Sequence, residues 1–483
     1  MTTTTFTPFR DGSAWLAGRA VHTTSTTPLS TPFNDAFLAD IHEADDALLD
    51  AALAAGTTAA QAMRAMPRFA RKAILDGISA GIRARFETFV DVIVHEAGKP
   101  RKLAIGEVKR AISTFEAASA ALLVPDERLL PLDGVEAGAG RLALLRRRAR
   151  GLVVAITPFN FPLNLVAHKL APAFAAGCPV VLKPAEQTPL TSLLLARVCQ
   201  EAGLPDGALS VVPCNRVVAA RLVADERAHV VSFTGSASAG FAIKAAAGKR
   251  HTLLELGGNA AVIVCDDADL DVAAARIAAG AYAYAGQVCI SVQRVLVDVR
   301  VLPALRERLV AATAQVVCGD PGDSSVDVGP LIDDRAVARV QNVVDEAVAA
   351  GGRVLFDGGA EGRVRHPVLV ENPPAHTRLV TDEAFGPVCT LEAFNVVDEA
   401  FAAVNASRFG LQAGIFTSNL QTVLAAGDRL DVGAVIHDDV PTFRVDHMPY
   451  GGVKDSGSGR EGLPWAIDEY TEPSMLVLKQ RLT

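Results

Sequence analysis

A chain of 483 residues exceeds what one hydrophobic core can organise, so two or three domains are expected. Half of it is apolar and 21% is charged, a globular balance that excludes disorder. The formal net charge of −8 and a pI near 5.7 give no overall basic field for nucleic acid or an anionic membrane, while leaving room for a local basic pocket.

The opening residues, Met1 to Phe6, lack the basic and apolar regions of a signal peptide. The charge-poor stretches near 151–167 and 277–293 are broken by Pro, Asn, Gly or Gln, so neither is expected to span a membrane. Seven dispersed cysteines without a CxxC pair read as reduced thiols, not as a disulfide framework or zinc site, and the expected location is the cytoplasm. No metal site is expected.

Residues 40–120 read as helical. Phe86, Phe89, Val90, Ile93 and Val94 share one buried face, and Gly98 and Pro100 stop that helix. The stretch from Glu127 to Arg150 fits neither a helix nor a sheet core and reads as an extended arm. From 151 the pattern changes to short apolar runs, at Gly151–Ile156, Val180–Leu182, Leu209–Val212, Val230–Phe233 and Leu253–Leu256, alternating with helical segments. Thr188-Pro189 can cap and start one such helix, which Gly203 ends. Alternating strands and helices predict a parallel sheet of nucleotide-binding type. A second α/β pattern follows Cys265, with helices near 268–284 and 301–316 and a strand at Val295–Val299.

Four short segments carry candidate chemistry. Cys289, in Gly286-Gln287-Val288-Cys289-Ile290, is a nucleophile if its thiolate is accessible, though a single cysteine in an apolar run is also a good small core residue. Glu255, at the end of an apolar strand before Gly257-Gly258, is a base if a cleft raises its pKa, and otherwise a solvated acid. Asn160, between Pro158 and Pro162, can donate to a developing oxyanion or can belong to a plain turn. Phe233-Thr234-Gly235-Ser236, between strand and helix, lets a diphosphate approach a helix N-terminus, although it is not the GxGxxG fingerprint.

In their order and spacing these segments resemble the aldehyde dehydrogenase superfamily over nearly the whole chain. Lys183-Pro184-Ala185-Glu186, Glu383-Ala384-Phe385-Gly386-Pro387 and Pro449-Tyr450-Gly451-Gly452-Val453-Lys454 complete the set. The resemblance implies an α/β fold with two Rossmann-like parallel-sheet domains and a small β oligomerisation arm. It places a coenzyme domain at 1–127 and 150–255, with a return at 453–467, and a catalytic domain at 256–452. The arm falls at 128–149 and 468–483, where 128–149 would pair with a C-terminal strand near Ser474–Lys479 and complete a partner's sheet in a homodimer or homotetramer.

The resemblance also implies roles. Cys289 attacks the aldehyde, Asn160 and the Cys289 backbone N–H hold the oxyanion, and Glu255 activates water against the thioester. Lys169 and Glu461 fall where the family has a proton-relay pair. Lys183 and Glu186 match residues holding the adenosine ribose, and a carboxylate at 186 favours NAD over NADP by repelling a 2′-phosphate. Ile156, Thr157, Pro158, Phe159, Gly207, Phe233, Gly235, Ser236, Leu256 and Gly257 belong to the implied cofactor site, with Glu383 and Phe385 at the nicotinamide riboside. Asn259 stands where the family most often has Lys.

Substrate positions implied in the same way are Arg110, Phe161, His168, Val288, Ile290, Arg444 and Tyr450. Arginine at 444, where neutral-aldehyde members often carry an aromatic, and a second at 110 point to an anionic tail. The nearest subgroup handles lactaldehyde, phosphonoacetaldehyde and glyceraldehyde 3-phosphate. Val288 and apolar Phe161 depart from its phosphate- and phosphonate-specific members. The plainer alternative puts Arg110 on a solvated helix face and pairs Arg444 with Asp446. Two other readings compete with a hydrolytic enzyme: acyl transfer to coenzyme A, which intact Glu255 opposes, and a catalytically silent binding member of the fold, which intact Cys289, Glu255 and Asn160 oppose.

Overall fold

Successive residues of the strand at 153–156 face opposite sides of a sheet, and both sides are dry. Val153 and Ala155 pack into one apolar core, Leu152 and Val154 into another. Only a sheet covered by helices on both faces gives that pattern. The computed structural model describes residues 9–124 and 127–479. The opening Met1–Phe6 and the last four residues of the expected arm lie outside them.

The first sheet has eight strands in the spatial order Arg19–Val21, Ala14–Leu16, Leu209–Val211, Val180–Lys183, Val153–Ile156, Val230–Thr234, His251–Glu255 and Gly457–Ser458. Its five central strands run parallel. Their register aligns Lys183 with Ile156, Ile156 with Phe233, and Thr234 with Glu255, so these residues end side by side at the carboxyl edge. That edge is where open α/β sheets place their ligands.

The helical stretch divides into α1 (Asp46–Ala65), α2 (Arg68–Ala84), α3 (Phe86–Ala97) and α4 (Arg101–Ala121). Gly98 ends α3 with φ of 61°, and a Cβ there would lie 2.6 Å from Pro330, so both conformation and packing require glycine. Helices α5 (Asn164–Ala176) and α6 (Leu190–Glu201) follow the next two strands. All thirteen residues of α5 are buried, so no solvated face marks its orientation. The expected Thr188 cap of α6 is not formed. The Glu96 carboxylate instead accepts the backbone N–H groups of Leu190 and Thr191 from across the core, and Thr188 Oγ1 has no partner.

The second sheet has seven strands, ordered Arg353–Asp357, Val368–Glu371, Val388–Phe394, Val292–Asp298, Ala260–Val264, Gln412–Phe416 and Ala434–His437. It is parallel except at Arg353–Asp357. Its central strands also divide their residues between two cores, Val262 and Val264 on one side, Ala261 and Ile263 on the other. The stretch read as an arm forms an antiparallel sheet of Arg128–Pro131, Arg141–Ala149 and Thr471–Lys479. Among the described residues no helix is long and apolar enough to cross a membrane.

Candidate active site

A cavity of about 870 Å³ opens along the carboxyl edge of the first sheet. Its wall includes Cys289, Asn160, Phe161, Val288, Ile290, Arg110, Arg444 and Tyr450, and it continues past Pro158, Phe159, Glu383 and Phe385 to Leu256, Gly257, Gly235 and Ser236. Residues assigned to three different roles from the sequence therefore share one space.

Cys289 follows a strained turn. Tyr284 and Ala285 take φ of 52° and 53°, a region that residues with a Cβ rarely adopt and that often marks functional loops. Buried Gln287 holds the loop: its Nε2 donates to the carbonyls of Tyr284 and Pro330, and its Oε1 accepts the Ile332 N–H at 3.0 Å. The Gln287 carbonyl accepts Asn160 Nδ2 at 2.9 Å, which fixes the amide beside the thiol. One amide hydrogen is used there. The second is left for a ligand, and Asn160 Oδ1 has no partner.

The thiol lies 3.2 Å from the Tyr450 hydroxyl. Burial pushes Cys289 up to about 11, against which that hydrogen bond and the Arg444 charge favour the thiolate, while Glu383 and Glu255 oppose it. Arg444 stacks on the Tyr450 ring, 3.6 Å from its centroid, and donates to Glu461 Oε2 at 3.2 Å.

Glu255 and Glu461 are both buried but differently placed. Lys169 donates to Glu461 at 3.2 Å and to Ser232 at 3.0 Å. Burial works against an ionised Glu461, but Lys169 and Arg444 outweigh it and keep the pKa low. Neither carboxylate oxygen of Glu255 has a hydrogen-bond partner among the described residues. Burial, reinforced by the negative charge of Glu461, raises its pKa well above 4.5. Neither Lys169 nor Glu461 lines the cavity. They form a buried pair behind it, and Glu255 ends the strand beside cavity-lining Thr234.

The two arginines do not follow the plainer alternative. Arg444 pairs with Glu461, whereas Arg110 pairs with Asp446, its Nε and Nη2 reaching Oδ1 at 3.2 and 2.8 Å. Both guanidinium groups border the cavity, and Arg110 lies on the face of α4 that also presents Lys102, Leu103 and Gly106 to it. His168 is displaced from its expected role. It is fully buried outside the cavity wall, and its Nε2 lies 2.9 Å from Asp446. It braces the acid that holds Arg110 because its ring turns into the packed interior of α5.

The family model described as the aldehyde dehydrogenase family matches residues 20–476. The chain belongs to the aldehyde dehydrogenase family. It is an oxidoreductase acting on aldehydes. The chain is 41% identical over 397 residues to 3-sulfolactaldehyde dehydrogenase of Priestia megaterium, covering 82% of this chain and 83% of that one. Aldehyde dehydrogenase 21 of Physcomitrella patens, solved with its reaction product succinate, superposes with a TM-score of 0.96 at 38% identity, covering 99% of this chain and all of that one. The NADP-dependent glyceraldehyde-3-phosphate dehydrogenase of Bacillus halodurans, solved with NADP, gives 0.95 at 31% identity, covering 97% and 99%.

An aldehyde dehydrogenase needs room for a nicotinamide dinucleotide, and the far half of the cavity fits one. Thr234 Oγ1 is buried there without a partner. Ser236 caps the helix α7 (Ala237–Ala247), whose first N–H groups favour a phosphate. A Cβ on Gly257 would strike the Glu383 carboxylate at 2.3 Å. Burial raises Glu383 to about 7 despite a hydrogen bond from the Gly258 N–H. Asn259 donates to the carbonyls of Val380 and Asp382, bracing the segment that carries Glu383. Ile156, Thr157, Lys183, Glu186 and Phe233 stand at or near the strand ends but outside the cavity lining, with Lys183 3.5 Å from Glu186. Gly207 lies in a turn on α1, where φ of 82° and the Ala55 carbonyl exclude a side chain.

Sequence reasoning missed several residues. Lys99 lies 3.6 Å from the Phe161 ring centroid and pairs with Glu107, whose carboxylate also accepts the N–H groups of Leu163 and Asn164. Burial brings Lys99 down to about 8. A lysine just before α4 and a glutamate one turn before Arg110 were the available signal. Arg216, in the cavity wall with Gln187 and Ser236, is exposed and has no ion pair among the described residues. It gave no motif to find.

Proposed function

We propose that this aldehyde dehydrogenase oxidises a small aldehyde with an anionic tail to its carboxylic acid, with water as the acyl acceptor and NAD as the hydride acceptor. The observation that carries this reading is the cavity itself, which holds a thiol, an amide donor and two guanidinium groups together. The names of the relatives agree with it, since sulfolactaldehyde, succinate and glyceraldehyde 3-phosphate all carry an anionic group.

Cys289 Sγ attacks the aldehyde carbon, and the Asn160 amide and the Cys289 backbone N–H receive the oxyanion of the resulting thiohemiacetal. The dinucleotide, when bound, supplies the acceptor for the hydride that leaves this carbon. Glu255 then takes a proton from water, the hydroxide adds to the thioester, and the Cys289 thiolate departs. The aldehyde and water thus become a carboxylic acid, with two electrons and one proton leaving as the hydride and the second proton released from Glu255 to solvent. Spare N–H groups on Arg110 and Arg444 hold the tail.

A second cofactor reading has its own support. Unpaired Arg216 gives the adenosine side a cation suited to the 2′-phosphate of NADP, opposing the repulsion from Glu186. One assay tests the whole proposal: neutral and anionic aldehydes of matched size, with NAD or NADP, with and without coenzyme A. Anionic substrates should lead by about tenfold or more in kcat/KM, as expected for one charge-assisted hydrogen bond. Free acid should form without coenzyme A. A preference for neutral aldehydes, or an acyl-coenzyme A product, would overturn it.

A further inference from the structure

Arg444 has a second neighbour besides any substrate tail. Its guanidinium carbon lies over the Tyr450 ring at 3.6 Å from the centroid, and the hydroxyl of that ring is 3.2 Å from Cys289 Sγ. We propose that Arg444 and Tyr450 act as a stacked relay that sets how readily Cys289 ionises, with Arg444 as a positioning residue for the nucleophile. The inference rests on the reading of Cys289 as the nucleophile and is independent of the anionic tail.

Burial deprives the thiolate of water, and Glu383 and Glu255 add repulsion. Against these stand the Tyr450 hydrogen bond and the positive charge of Arg444. A cation on the face of a phenol draws electron density from the ring and makes the O–H a stronger donor. Burial keeps Tyr450 itself protonated, because its own pKa lies well above 10. On ionisation the thiol proton therefore passes to water, and the tyrosine keeps its proton and donates it to sulfur in a hydrogen bond.

The stack is held from behind. Glu461 takes the Arg444 guanidinium at 3.2 Å and is itself held by Lys169. Asp446 and Glu255 add negative charge near Arg444, and burial and Arg444 disfavour protonation of buried His168. The backbones of Tyr450 and Glu461 also bond reciprocally, at 2.9 and 2.7 Å, which ties the ring to the acid that anchors its stacking partner.

The test is the pH dependence of Cys289 alkylation by iodoacetamide in the purified full-length enzyme, followed by mass spectrometry of the Cys289 peptide. This readout needs neither aldehyde nor dinucleotide. Tyr450→Phe keeps the ring and removes the hydroxyl. Its alkylation midpoint should rise by about one pH unit, and that of Arg444→Leu by a similar amount. Arg444→Lys should restore part of the shift. The double variant should move clearly less than the sum of the two single shifts, because much of the Arg444 effect passes through the Tyr450 hydroxyl. An unchanged midpoint in Tyr450→Phe would overturn the relay. So would an Arg444→Leu shift as large in the Tyr450→Phe background as in the wild type, since Arg444 would then act directly through space. If Arg444→Leu fails to fold after leaving Glu461 short of a partner, Arg444→Lys with and without Tyr450→Phe carries the same comparison. A neutral-aldehyde preference with shifted midpoints would remove the tail reading and leave the relay standing.

Discussion

The two ends of the cavity handle buried charge in opposite ways. At the arginine end every full charge has a counter-charge: Arg110 with Asp446, Arg444 with Glu461, Lys99 with Glu107. Near the thiol, polar atoms are left without partners among the described residues, both oxygens of Glu255 and Oδ1 of Asn160. Unpaired buried groups cost stability and persist where function uses them. Paired ones hold geometry, at the risk that removing one partner strands the other. Within one protein, then, a buried acid can be scaffold or reagent, and its partners decide which. Glu461 and Glu255 make the point as two residues of the same type.

The sharpest way to break the reacting end is Cys289→Ser. Turnover should fall below about one per cent of wild type, because a hydroxyl is a far poorer nucleophile at neutral pH, while dinucleotide binding by fluorescence titration stays near normal. A substantial residual rate would remove Cys289 from the mechanism.

Glu255→Gln comes next, with a loss of about a hundredfold in steady-state rate. A retained burst of reduced dinucleotide would place Glu255 in thioester hydrolysis, and a lost burst would place it earlier, as activator of the thiol. The same variant tests the idea of an unpaired acid. A base with a raised pKa is lost as pH falls through that pKa, so the acid limb of kcat should lie above the ordinary 4.5 and flatten in Glu255→Gln. Stability should show the converse. The folded state binds the proton more tightly than the unfolded chain, so the associated stabilisation is complete below the unfolded pKa and is lost as pH rises through the folded one. Glu255→Gln should therefore melt higher than wild type at alkaline pH, with the gap closing on acidification. An equal gap at every pH would mean that Glu255 ionisation does not carry the effect.

At the arginine end, Arg110→Leu should lower kcat/KM for anionic aldehydes about ten- to hundredfold and spare neutral ones of the same size. Arg110 is the cleaner choice because Arg444 also touches the ring beside the thiol. Parallel loss for both classes would leave Arg110 as a brace for Asp446 alone. The smallest effect is expected at the cofactor side, where Arg216→Ala should cut kcat/KM with NADP about tenfold and leave NAD unchanged. Equal effects on both would assign Arg216 to neither phosphate nor selectivity.

Much of this was legible in the sequence, and the physics explains which part. Strand ends, the Cys289 loop and the glycines after Glu255 are local, and each announces itself within a few residues. The long-range pairings do not. Asp446 meets Arg110 from 336 positions away, and nothing in Arg444-Val445-Asp446 says that the acid turns from its near neighbour to a helix at the other end of the chain. His168 was misplaced because α5 is buried on every side, so helical spacing could not tell cavity from core. Thr188 looked like a cap because capping is usually local, yet Glu96 supplied it across the fold.

The pairing of Lys169 with Glu461 also bears on how the enzyme is made. When a ribosome has released the strands up to His251–Glu255, the slot beside buried Lys169 is empty, and the edge that Gly457–Ser458 will cover is still open. Arg110 and His168 also wait for Asp446, and Cys289 for Tyr450. All of those partners lie between residues 446 and 461, after every parallel strand of the first sheet. A nascent chain therefore carries its nucleophile before it carries the residues that tune it.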